Sequence, residues 1–319
     1  MTQTPPAEMD LGWPPPRFLA PPPALVGPEG TRHFDGVTYA TTAGYRPRLL
    51  DVHVPASQVP VPAVVWIHGG GWLEGDRRYP PPTIPVELLH RSVLQAGLAL
   101  VTIDYRHSLE APFPAQLHDA KAAIRYVRRF AGELGIDGDR IGVWGESAGG
   151  HLVALAGLVG PGKHAGVDLE GSEGTAEESS SVSAVVDWYG VSELISLLSH
   201  TLPSVPGVDY PNPFTALLGA ATGEELVTRA AIASPVTHVR PGSTPPPFLL
   251  IHGTKDGLVP YSQSEALAQA LEGIEAEVTL RAVPDADHIF LGATDVAPIV
   301  AESVDFLVRH LMPATATAR

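Results

Sequence analysis

The sequence contains no cysteine, which excludes thiol nucleophiles, disulfides, thiolate-bound zinc and iron–sulfur clusters together. Positive charge is also scarce, because 20 Lys and Arg residues stand against 35 Asp and Glu residues, giving a formal net charge of −15. A surface this acidic repels phosphate backbones and anionic lipid headgroups, so nucleic acid is not expected as a partner.

Long apolar runs are missing as well. No segment approaches the ~18 uninterrupted apolar residues of a membrane span. Residues 1–23 lack the cationic start and apolar stretch of an export signal. From these absences we expect a soluble, non-exported, cytoplasmic protein with no membrane span.

The chain has 319 residues, of which 44% are hydrophobic, so it can bury a sizeable core. Residues 1–30, however, carry prolines at a density that excludes helix and sheet and favours an extended polyproline conformation. We interpret them as an N-terminal extension, and a proline-rich ligand for a partner domain is the alternative. Residues 31–319 are predicted to form one domain, although the length alone also permits two.

From residue 31 onward, apolar strand-like segments alternate with amphipathic helix-like segments. This alternation predicts an α/β fold with a mainly parallel sheet covered on both faces by helices. Apolar residues recurring every three or four positions predict helices near residues 117–131 and 296–311. The candidate strands are residues 49–54, 63–68, 99–105, 140–145, 184–189, 247–253 and 277–283.

Two segments interrupt the alternation. Residues 160–183 are rich in Gly, Ser and Glu, which predicts a mobile surface loop. Residues 191–247 are longer, dotted with prolines and weakly helical around residues 192–198 and 224–233. An insertion of this size can fold over the carboxyl edge of the sheet, where α/β proteins bind ligands. We therefore predict that residues 191–247 form a cap.

Residues 145–149 fit the pattern G-x-S-x-G and lie between an apolar strand, residues 141–144, and an apolar helix, residues 151–158. A tight strand-to-helix turn lifts the hydroxyl of Ser147 out of the sheet, and the flanking glycines avoid side-chain clashes. The helix N-terminus behind this turn favours developing negative charge. An ordinary glycine-rich turn is the alternative interpretation.

A nucleophilic hydroxyl needs a base, and a basic histidine needs an orienting carboxylate. Asp256 lies on the loop after the strand at residues 248–252, and His288 follows the next strand. The resulting chain order Ser, Asp, His is the one that α/β-hydrolases use. Asp187 is an alternative acid, but it lies inside its strand rather than beyond it, and geometry favours Asp256.

Other acids and histidines near these positions have simpler interpretations. His151 lies one helical turn after Ser147, where hydrogen bonding to neighbouring loops is favoured over a role as base. Asp285 and Asp287 are too close in sequence to His288 to reach its ring easily, so we expect them to shape its loop.

Phosphate and metal motifs are weak in this sequence. Residues 157–163 match most of a phosphate loop, but His164 replaces the required Ser or Thr and the segment follows a helix, so the match is interpreted as chance. There is no H-E-x-x-H, and the 13 histidines show no paired ligand spacing, so no metal is expected.

Asp104 and Arg106 end a strand, where a buried or half-buried ion pair is the usual explanation.

Taken together, the motifs resemble the hormone-sensitive-lipase-like esterases of the α/β-hydrolase superfamily, over residues 35–312. Trp72 after the glycines and His151 after Gly-Gly resemble the bacterial feruloyl-esterase and kynurenine-formamidase-like branch. His68 resembles a family histidine that shapes the glycine loop. The segments that carry the resemblance are residues 68–72, 104–106, 145–150, 253–260 and 287–288.

The resemblance implies an α/β-hydrolase fold with an eight-stranded sheet, hydrolysis of carboxylic esters and no cofactor. It makes Ser147 the nucleophile, His288 the base and Asp256 the orienting acid. The three adjacent glycines at residues 69–71 expose backbone N–H groups, as an oxyanion hole demands. The oxyanion donors carried over from the family are the N–H groups of Gly70, Gly71 and Ala148.

The sequence thus predicts a serine carboxylesterase that hydrolyses small to medium acyl esters through an acyl-enzyme. A feruloyl or acetyl-xylan-type esterase and an aryl formamidase of the same branch are the alternatives. A non-catalytic ligand receptor on this fold is the alternative of another class, although receptors resembling this group typically have a broken triad. The expected partner is a small-molecule ester. Acyl length, alcohol preference and oligomeric state, including a homodimer, stay open.

Overall fold

The computed structural model describes residues 16–312 except 201, 203–210 and 220, so half of the predicted N-terminal extension, residues 1–15, lies outside the described residues. Its centre is a nine-stranded sheet with the strand order β1-β2-β3-β5-β4-β6-β9-β10-β11. The strands are β1 (Leu25–Val26), β2 (Arg32–Ala40), β3 (Arg48–Val54), β4 (Val61–Ile67), β5 (Ala99–Ile103), β6 (Ile136–Glu146), β9 (Ala184–Trp188), β10 (Phe248–Gly253) and β11 (Val278–Val283), with a separate hairpin of β7 (Lys163–His164) and β8 (Val167–Asp168).

Helices cover the sheet. Among the described residues, no helix is both long enough and apolar enough to cross a membrane. Short 3-10 turns lie at Pro28–Gly30, Pro235–His238 and His288–Phe290. The helices are α1 (Val86–Gln95), α2 (Ala115–Arg129), α3 (Ala131–Leu134), α4 (Ala148–Leu158), α5 (Leu194–Leu197), α6 (Pro213–Leu217), α7 (Gly223–Ala233), α8 (Ser262–Glu272) and α9 (Ala297–Leu311).

The six strands from β5 to β11 in the sheet order are parallel, and β1, β2 and β3 add an antiparallel edge. Every residue of β4, β5, β9 and β10 is buried, as strands covered on both faces require. Helices α1 and α9 pack on one face, and α2, α4 and α8 pack on the other. The predicted α/β-hydrolase class, with a mostly parallel sheet between two helical layers, is confirmed.

All seven candidate strands are present in the sheet. The prediction missed β2, whose sequence RHFDGVTYA mixes polar residues and a glycine with apolar ones and lacks a continuous apolar run. The resemblance implied eight strands, which correspond to β2 to β6 and β9 to β11. The two-residue strand β1 adds a ninth at the antiparallel edge, so the prediction that residues 1–30 contain no sheet is wrong for Leu25–Val26.

Buried charges anchor the segment at residues 160–183, which we expected to be a mobile loop. Glu170 Oε2 lies 2.6 Å from Nζ of Lys121, and its Oε1 lies 2.9 Å from Nη1 of Arg125. Both cations are buried on α2, and Leu169 is fully buried beside them. The segment does lie at the surface, but these contacts tie it to the helix layer. It leaves α4 and enters β7, the reverse of the strand-to-helix order in a phosphate loop.

Asp104 and Arg106 each form an ion pair, but with other residues. Asp104 Oδ2 lies 3.0 Å from Nη1 of Arg77, and Arg106 Nε lies 2.8 Å from Oδ2 of the fully buried Asp119. The two side chains are two positions apart at the end of β5, and the pair suggested by their proximity in sequence does not form. Asp104 instead connects the end of β5 to the loop that carries Arg77, and Arg106 connects it to α2 through Asp119.

Within residues 191–247, the structure describes three helices. Helix α7 confirms the helix predicted at residues 224–233, and α5 lies within the segment predicted as weakly helical. Ser234 joins the start of the insertion to the end of α7, because its Oγ accepts a hydrogen bond from the Leu194 N–H at 2.8 Å and donates one to the Ala230 carbonyl at 2.7 Å. Among the described residues, α5 and α7 are therefore linked close to the carboxyl end of β9.

Candidate active site

Ser147 lies at a strained turn between β6 and α4, with φ 52° and ψ −115°. The turn needs glycine at its flanks, because a Cβ atom at Gly145 would lie 2.4 Å from the Gly149 carbonyl oxygen, and one at Gly149 would lie 2.0 Å from that of Ile67. The Ser147 N–H donates to the Trp188 carbonyl at 2.8 Å, which fixes the turn to β9. The local sequence thus holds the hydroxyl at the carboxyl edge of the sheet.

Three side chains distant in sequence meet at this edge. Oγ of Ser147 lies 3.0 Å from Nε2 of His288, and Nδ1 of the same ring lies 2.7 Å from Oδ2 of Asp256. His288 follows β11 and Asp256 follows β10, which are adjacent parallel strands. Their carboxyl ends therefore deliver both side chains to the same place. The structure brings together the three residues singled out from the sequence.

Asp287 links the two loops that carry these side chains. Its Oδ1 accepts hydrogen bonds from the N–H groups of Gly257 at 2.9 Å and His288 at 2.7 Å. On the other side of the loop, the Thr83 hydroxyl donates to the Ile289 carbonyl. Asp287 thus shapes the histidine loop, in agreement with the interpretation from the sequence.

Asp256 is surrounded by hydrogen-bond donors. Its Oδ1 accepts from the N–H groups of Leu258 at 2.9 Å and Val259 at 2.8 Å, and its Oδ2 also lies 3.2 Å from Nε2 of His252. Burial opposes ionisation, but the contacts with His252 and His288 outweigh it and hold the pKa of the carboxyl well below its ordinary value. The group facing His288 is therefore a carboxylate.

The glycine loop lies on the other side of Ser147. Gly70 and Gly71 have φ angles of 96° and 59°, and a Cβ atom at Gly70 would lie 2.3 Å from the Glu74 carbonyl oxygen. Within the described part of the chain, the N–H groups of Gly70, Gly71 and Ala148 have no hydrogen-bond acceptor. Ala148 is also the first residue of α4, where the helix dipole favours negative charge.

His68 supports this loop from below. Its Nδ1 lies 2.8 Å from the Gly69 carbonyl oxygen, and its ring stacks on that of Tyr105 at 4.4 Å between centroids. The Tyr105 hydroxyl donates to the His68 carbonyl at 3.0 Å. Burial lowers the pKa of His68 to about 4, so the ring is neutral at pH 7. These contacts agree with a histidine that shapes the glycine loop.

Sequence reasoning assigned no role to Glu146, the residue before Ser147. Its Oε1 accepts a hydrogen bond from the Gly69 N–H at 2.7 Å, which ties the glycine loop to the serine turn. Burial raises the pKa of Glu146, although the charge of His288 and the Gly69 N–H both oppose this rise. Only its place inside the motif could have pointed to it, because its partner lies 77 positions away in the chain.

Asp187 does not join the Ser147 site through a hydrogen bond to His288. It is fully buried in β9, its Oδ1 accepts from the Gly190 N–H at 2.9 Å, and its Oδ2 has no partner among the described residues. Burial raises the pKa of Asp187 to about 7. The alternative acid weighed from the sequence is therefore a buried carboxyl behind the serine turn.

His151 and Trp72 connect the site to the insertion. Nε2 of His151 lies 2.7 Å from the Ala233 carbonyl oxygen at the end of α7, and its ring lies 5.1 Å from that of Trp72 between centroids. The Trp72 ring also packs against Phe214 of α6 at 6.3 Å. A Cβ atom at Gly71 would lie 3.2 Å from Cβ of Pro213. The insertion thus lies directly against the glycine loop.

This arrangement has the groups needed for two chemical tasks. The imidazole of His288, oriented by a carboxylate, can take a proton from the hydroxyl of Ser147. The three N–H groups without acceptors can bind an oxygen atom on which negative charge develops.

Comparisons with known proteins agree with this geometry. The chain is 33% identical over 280 residues to esterase LipQ of Mycobacterium tuberculosis, covering 83% of this chain and 60% of LipQ. It is 28% identical to the probable isoprenylcysteine alpha-carbonyl methylesterase ICMEL1 of Arabidopsis thaliana, covering 74% of this chain and 48% of that protein. The chain therefore spans about half to three fifths of the length of these curated relatives.

Solved structures resemble it over most of its length. A truncated carbohydrate esterase from gut microbiota superimposes with a TM-score of 0.74 at 30% identity, covering 88% of this chain and 96% of that one. Esterase 2 of Thermogutta terrifontis, phosphorylated by paraoxon, gives a TM-score of 0.66 at 26% identity, covering 92% and 96%. The profile of the BD-FAE family matches residues 50–271, which include Ser147 and Asp256. With this match and the α/β-hydrolase fold around the serine turn, the chain belongs to the BD-FAE family.

Proposed function

We propose that the protein is a serine carboxylesterase that hydrolyses small to medium acyl esters through an acyl-enzyme. The observation that carries the proposal is the unbroken series of contacts from Ser147 Oγ to His288 at 3.0 Å and from His288 to Asp256 at 2.7 Å. The N–H groups without acceptors at Gly70, Gly71 and Ala148 lie beside it. The names of the relatives, which are esterases and a methylesterase, support the same reaction class.

The first half of the reaction transfers the acyl group to the protein. Neutral His288 takes the proton of the Ser147 hydroxyl as its oxygen attacks the ester carbonyl, and the carbonyl oxygen becomes an oxyanion. The N–H groups of the glycine loop and of Ala148 stabilise that charge together with the N-terminus of α4. The protonated His288 then donates its proton to the departing alkoxide, which leaves as the alcohol.

The second half returns the protein to its starting state. His288 takes a proton from a water molecule, the resulting hydroxide attacks the acyl carbonyl, and Ser147 leaves with the proton returned by His288. The product is the free carboxylic acid. Asp256 keeps the hydrogen on Nδ1 of His288 and stabilises the imidazolium in both halves.

The insertion at residues 191–247 is proposed to act as a cap that limits the space beside Ser147. This proposal is supported by the position of Pro213, whose Cβ lies 3.2 Å from where a Cβ atom on Gly71 would be, and by the packing of the Phe214 ring on that of Trp72. These residues reach the glycine loop, so they would border the acyl or alcohol part of a bound ester. Phe214→Ala should therefore change the ratio of the rates with long and short p-nitrophenyl esters. The rate with p-nitrophenyl acetate itself should change less.

Two narrower substrate classes are kept as alternatives. A feruloyl or acetyl ester of a plant oligosaccharide is favoured by the structural similarity to a carbohydrate esterase. An aryl formamide would use the same contacts. Rates with p-nitrophenyl acetate to decanoate, methyl ferulate, acetylated xylo-oligosaccharide and N-formylkynurenine distinguish these classes, because each class has its own acyl group and leaving group.

The proposal is tested by Ser147→Ala, with the exposed Ser57→Ala as the matched control. Loss of the nucleophile should lower kcat/KM for p-nitrophenyl acetate by about 10³-fold or more, while the control keeps the wild-type rate. Paraoxon should add one phosphoryl group to the wild-type protein, on the peptide containing Ser147, and none to the Ser147→Ala variant, as read by mass spectrometry.

Wild-type hydrolysis by Ser147→Ala would overturn the proposal, as would a paraoxon adduct on another peptide. A folded wild-type protein that neither hydrolyses any ester of the panel nor reacts with paraoxon would favour the alternative of a ligand receptor on this fold.

A further inference from the structure

A second imidazole contacts the carboxylate of Asp256. His252 is the fifth residue of β10 and is fully buried. Its Nε2 lies 2.8 Å from the Val259 carbonyl oxygen and 3.2 Å from Oδ2 of Asp256, and its Nδ1 lies 2.7 Å from Oγ of Ser264 on α8. Both ring nitrogens therefore have partners, so the plane of the ring is fixed.

These partners determine where the hydrogen of a neutral ring lies. A carbonyl oxygen only accepts hydrogen bonds, so the hydrogen is on Nε2, between Val259 and Asp256. Nδ1 is then an acceptor, and the hydroxyl of Ser264 can donate to it. In this tautomer the single Nε2–H faces two acceptors, the Val259 carbonyl oxygen at 2.8 Å and Oδ2 of Asp256 at 3.2 Å, and Nδ1 accepts from Ser264.

With this hydrogen included, four N–H groups face the carboxylate of Asp256. Oδ1 accepts from the N–H groups of Leu258 and Val259, and Oδ2 accepts from His288. The Nε2–H of His252, which also faces the Val259 carbonyl, lies 3.2 Å from Oδ2. An ionised carboxylate has about four lone-pair positions, which matches the number of N–H groups around it. The side chain of Asp256 is 0% exposed, so bulk water does not reach Oδ2.

We propose that His252 is a positioning residue of the ester hydrolysis: its Nε2–H holds Oδ2 of Asp256 in line with Nδ1 of His288. This inference rests on the proposed function and deepens it. The position of Oδ2 sets the direction of the His288 ring, and so the aim of Nε2 at the hydroxyl of Ser147. His252 touches neither substrate nor the reacting atoms.

His252 also controls how strongly the carboxylate stabilises a charged His288. The Nε2–H of His252 faces Oδ2 of Asp256 and so reduces the negative charge that Oδ2 presents to His288. Without it, the carboxylate stabilises the imidazolium form of His288 more strongly relative to the neutral ring. In the described part of the chain, the rings of Tyr189 and Tyr261 also face the His252 ring, at 6.4 Å and 5.6 Å between centroids.

Two amide variants form a matched pair for testing this role. In His252→Gln the amide N–H reaches the place of Nε2 and can donate to Asp256, whereas in His252→Asn the shorter amide occupies the place of Nδ1. We expect the Asn variant to lose about 10- to 100-fold in kcat with KM within about twofold, because misplacing a reacting group by 1 Å can cost about 100-fold. The Gln variant should keep kcat within about threefold.

The pH profile separates positioning from a merely structural role. In His252→Asn the midpoint of the acid limb of kcat should move to higher pH, whereas in His252→Gln it should stay near that of the wild type. A structural residue would lower the melting temperature of both variants and leave the midpoint in place. His310→Gln, on α9, is the control for removal of an imidazole elsewhere.

The tautomer is measured on the wild-type protein, so the inference stays testable even where a variant does not fold. In ¹⁵N-histidine NMR spectra, the neutral ring of His252 should carry its hydrogen on Nε2 and none on Nδ1. A hydrogen on Nδ1 alone, or equal kcat values and acid midpoints for the Asn and Gln variants, would overturn the inference. Loss of activity in Ser147→Ala alongside such a result would leave the proposed function standing.

Discussion

A Cβ atom on Gly150 would lie 2.3 Å from Oδ1 of Asp187 and 2.9 Å from Cα of Gly190. Helix α4, which begins just after Ser147, therefore packs on β9 with no room for a side chain at this position. Asp187 shares the same space, and its Oδ1 is already held by the Gly190 N–H at 2.9 Å. The serine turn and the buried carboxyl behind it thus depend on each other.

Gly150→Ala should destabilise the protein and displace the serine turn. The added methyl group has to push Asp187 or the backbone of Gly190, and such overpacking typically costs about 1–3 kcal/mol. Urea unfolding measures the loss of stability, and hydrolysis of p-nitrophenyl acetate reports displacement of Ser147. The control is Gly132→Ala on α3, where a Cβ atom meets nothing within 4 Å and helix propensity predicts a gain of about 0.5–1 kcal/mol. Equal stability of the two variants would contradict the packing argument.

Asp187→Asn should make the protein more stable relative to wild type as the pH rises. Burial raises the pKa of Asp187 from 3.8 to about 7, so between these values the folded state binds more protons than the unfolded state. The stability contributed by the protonated carboxyl is complete below pH 3.8 and is lost as the pH rises through 7. Asn keeps an oxygen for the Gly190 N–H and does not ionise.

The expected difference in unfolding free energy between Asn and wild type grows from pH 4 to pH 8, with an upper limit of about 4 kcal/mol. Urea titrations at these two pH values measure it, and a difference that does not change with pH would contradict the buried carboxyl as its source.

The two acids are also predicted to differ in activity. Asp256→Asn should lower kcat by up to about 10⁴-fold, because the amide favours the wrong tautomer of His288. Asp187→Asn should retain most activity, since Asp187 has no hydrogen bond to that ring. Steady-state hydrolysis of p-nitrophenyl acetate by both variants ranks the acids, and the reverse order would transfer the proposed role to Asp187.

The residues that meet at the carboxyl edge could be selected from the sequence because each has a local signal. Ser147 lies in a motif between a strand and a helix, and Asp256 and His288 directly follow apolar strands. Parallel strands bring their carboxyl ends to one edge, so topology converts these local signals into proximity. The same logic predicted most of the sheet from its continuous apolar strands.

What the sequence did not reveal depends on contacts between distant segments. His252 is a histidine in a buried strand, and Glu146 is an acid beside a serine. Neither position in the sequence indicates which residue the side chain contacts. Glu170 lies in a polar segment that is typical of a mobile loop, yet its partners are buried on α2. Strand β2 has no continuous apolar run, so the neighbouring β3 rather than local periodicity determines its conformation.

Glu170→Gln should be strongly destabilising. Its carboxylate pairs with Lys121 and Arg125, whose side chains are 0% and 1% exposed, so the change leaves two buried cations without their main counter-charge. Losing one partner of a buried ion pair typically costs about 3–5 kcal/mol, and the partial exposure of Glu170 places the expected loss near the lower end. Urea unfolding at pH 7 measures it.

The control for this prediction is Glu177→Gln in the same segment, because Glu177 is exposed and its replacement should cost less than about 0.5 kcal/mol. Proteolysis within residues 171–182 should accelerate in the Glu170 variant alone. Equal unfolding free energies for the two variants would show that the ion pairs do not anchor the segment.

Acid should destabilise the protein through a histidine cluster, which consists of His33 on β2, His53 on β3 and His90 on α1. Nδ1 of His33 lies 2.7 Å from Nδ1 of His53, and the His90 ring lies 4.8 Å from that of His53. Only one hydrogen fits between two nitrogens at this distance, so the two rings cannot both be charged. Burial, followed by the neighbouring His90 and His33, lowers the pKa of His53 to about 4.

The sign follows from proton counting. Between pH 6.5 and pH 4 the unfolded chain protonates His53 while the folded protein does not, so stability falls as the pH falls through this window. The loss has an upper limit of about 3 kcal/mol, reduced by solvent screening because the ring is only partly buried. His53→Gln removes the titration, so its unfolding free energy should depend less steeply on pH between 4.5 and 7 than that of wild type.

Other buried histidines, such as His68 and His151, have lowered pKa values and add to acid sensitivity in both proteins, so the difference between wild type and His53→Gln isolates the cluster. His310→Gln serves as the control, because it removes an imidazole on α9, outside this cluster. If His53→Gln and wild type lose the same unfolding free energy between pH 7 and pH 4.5, the cluster is not the source of the acid sensitivity.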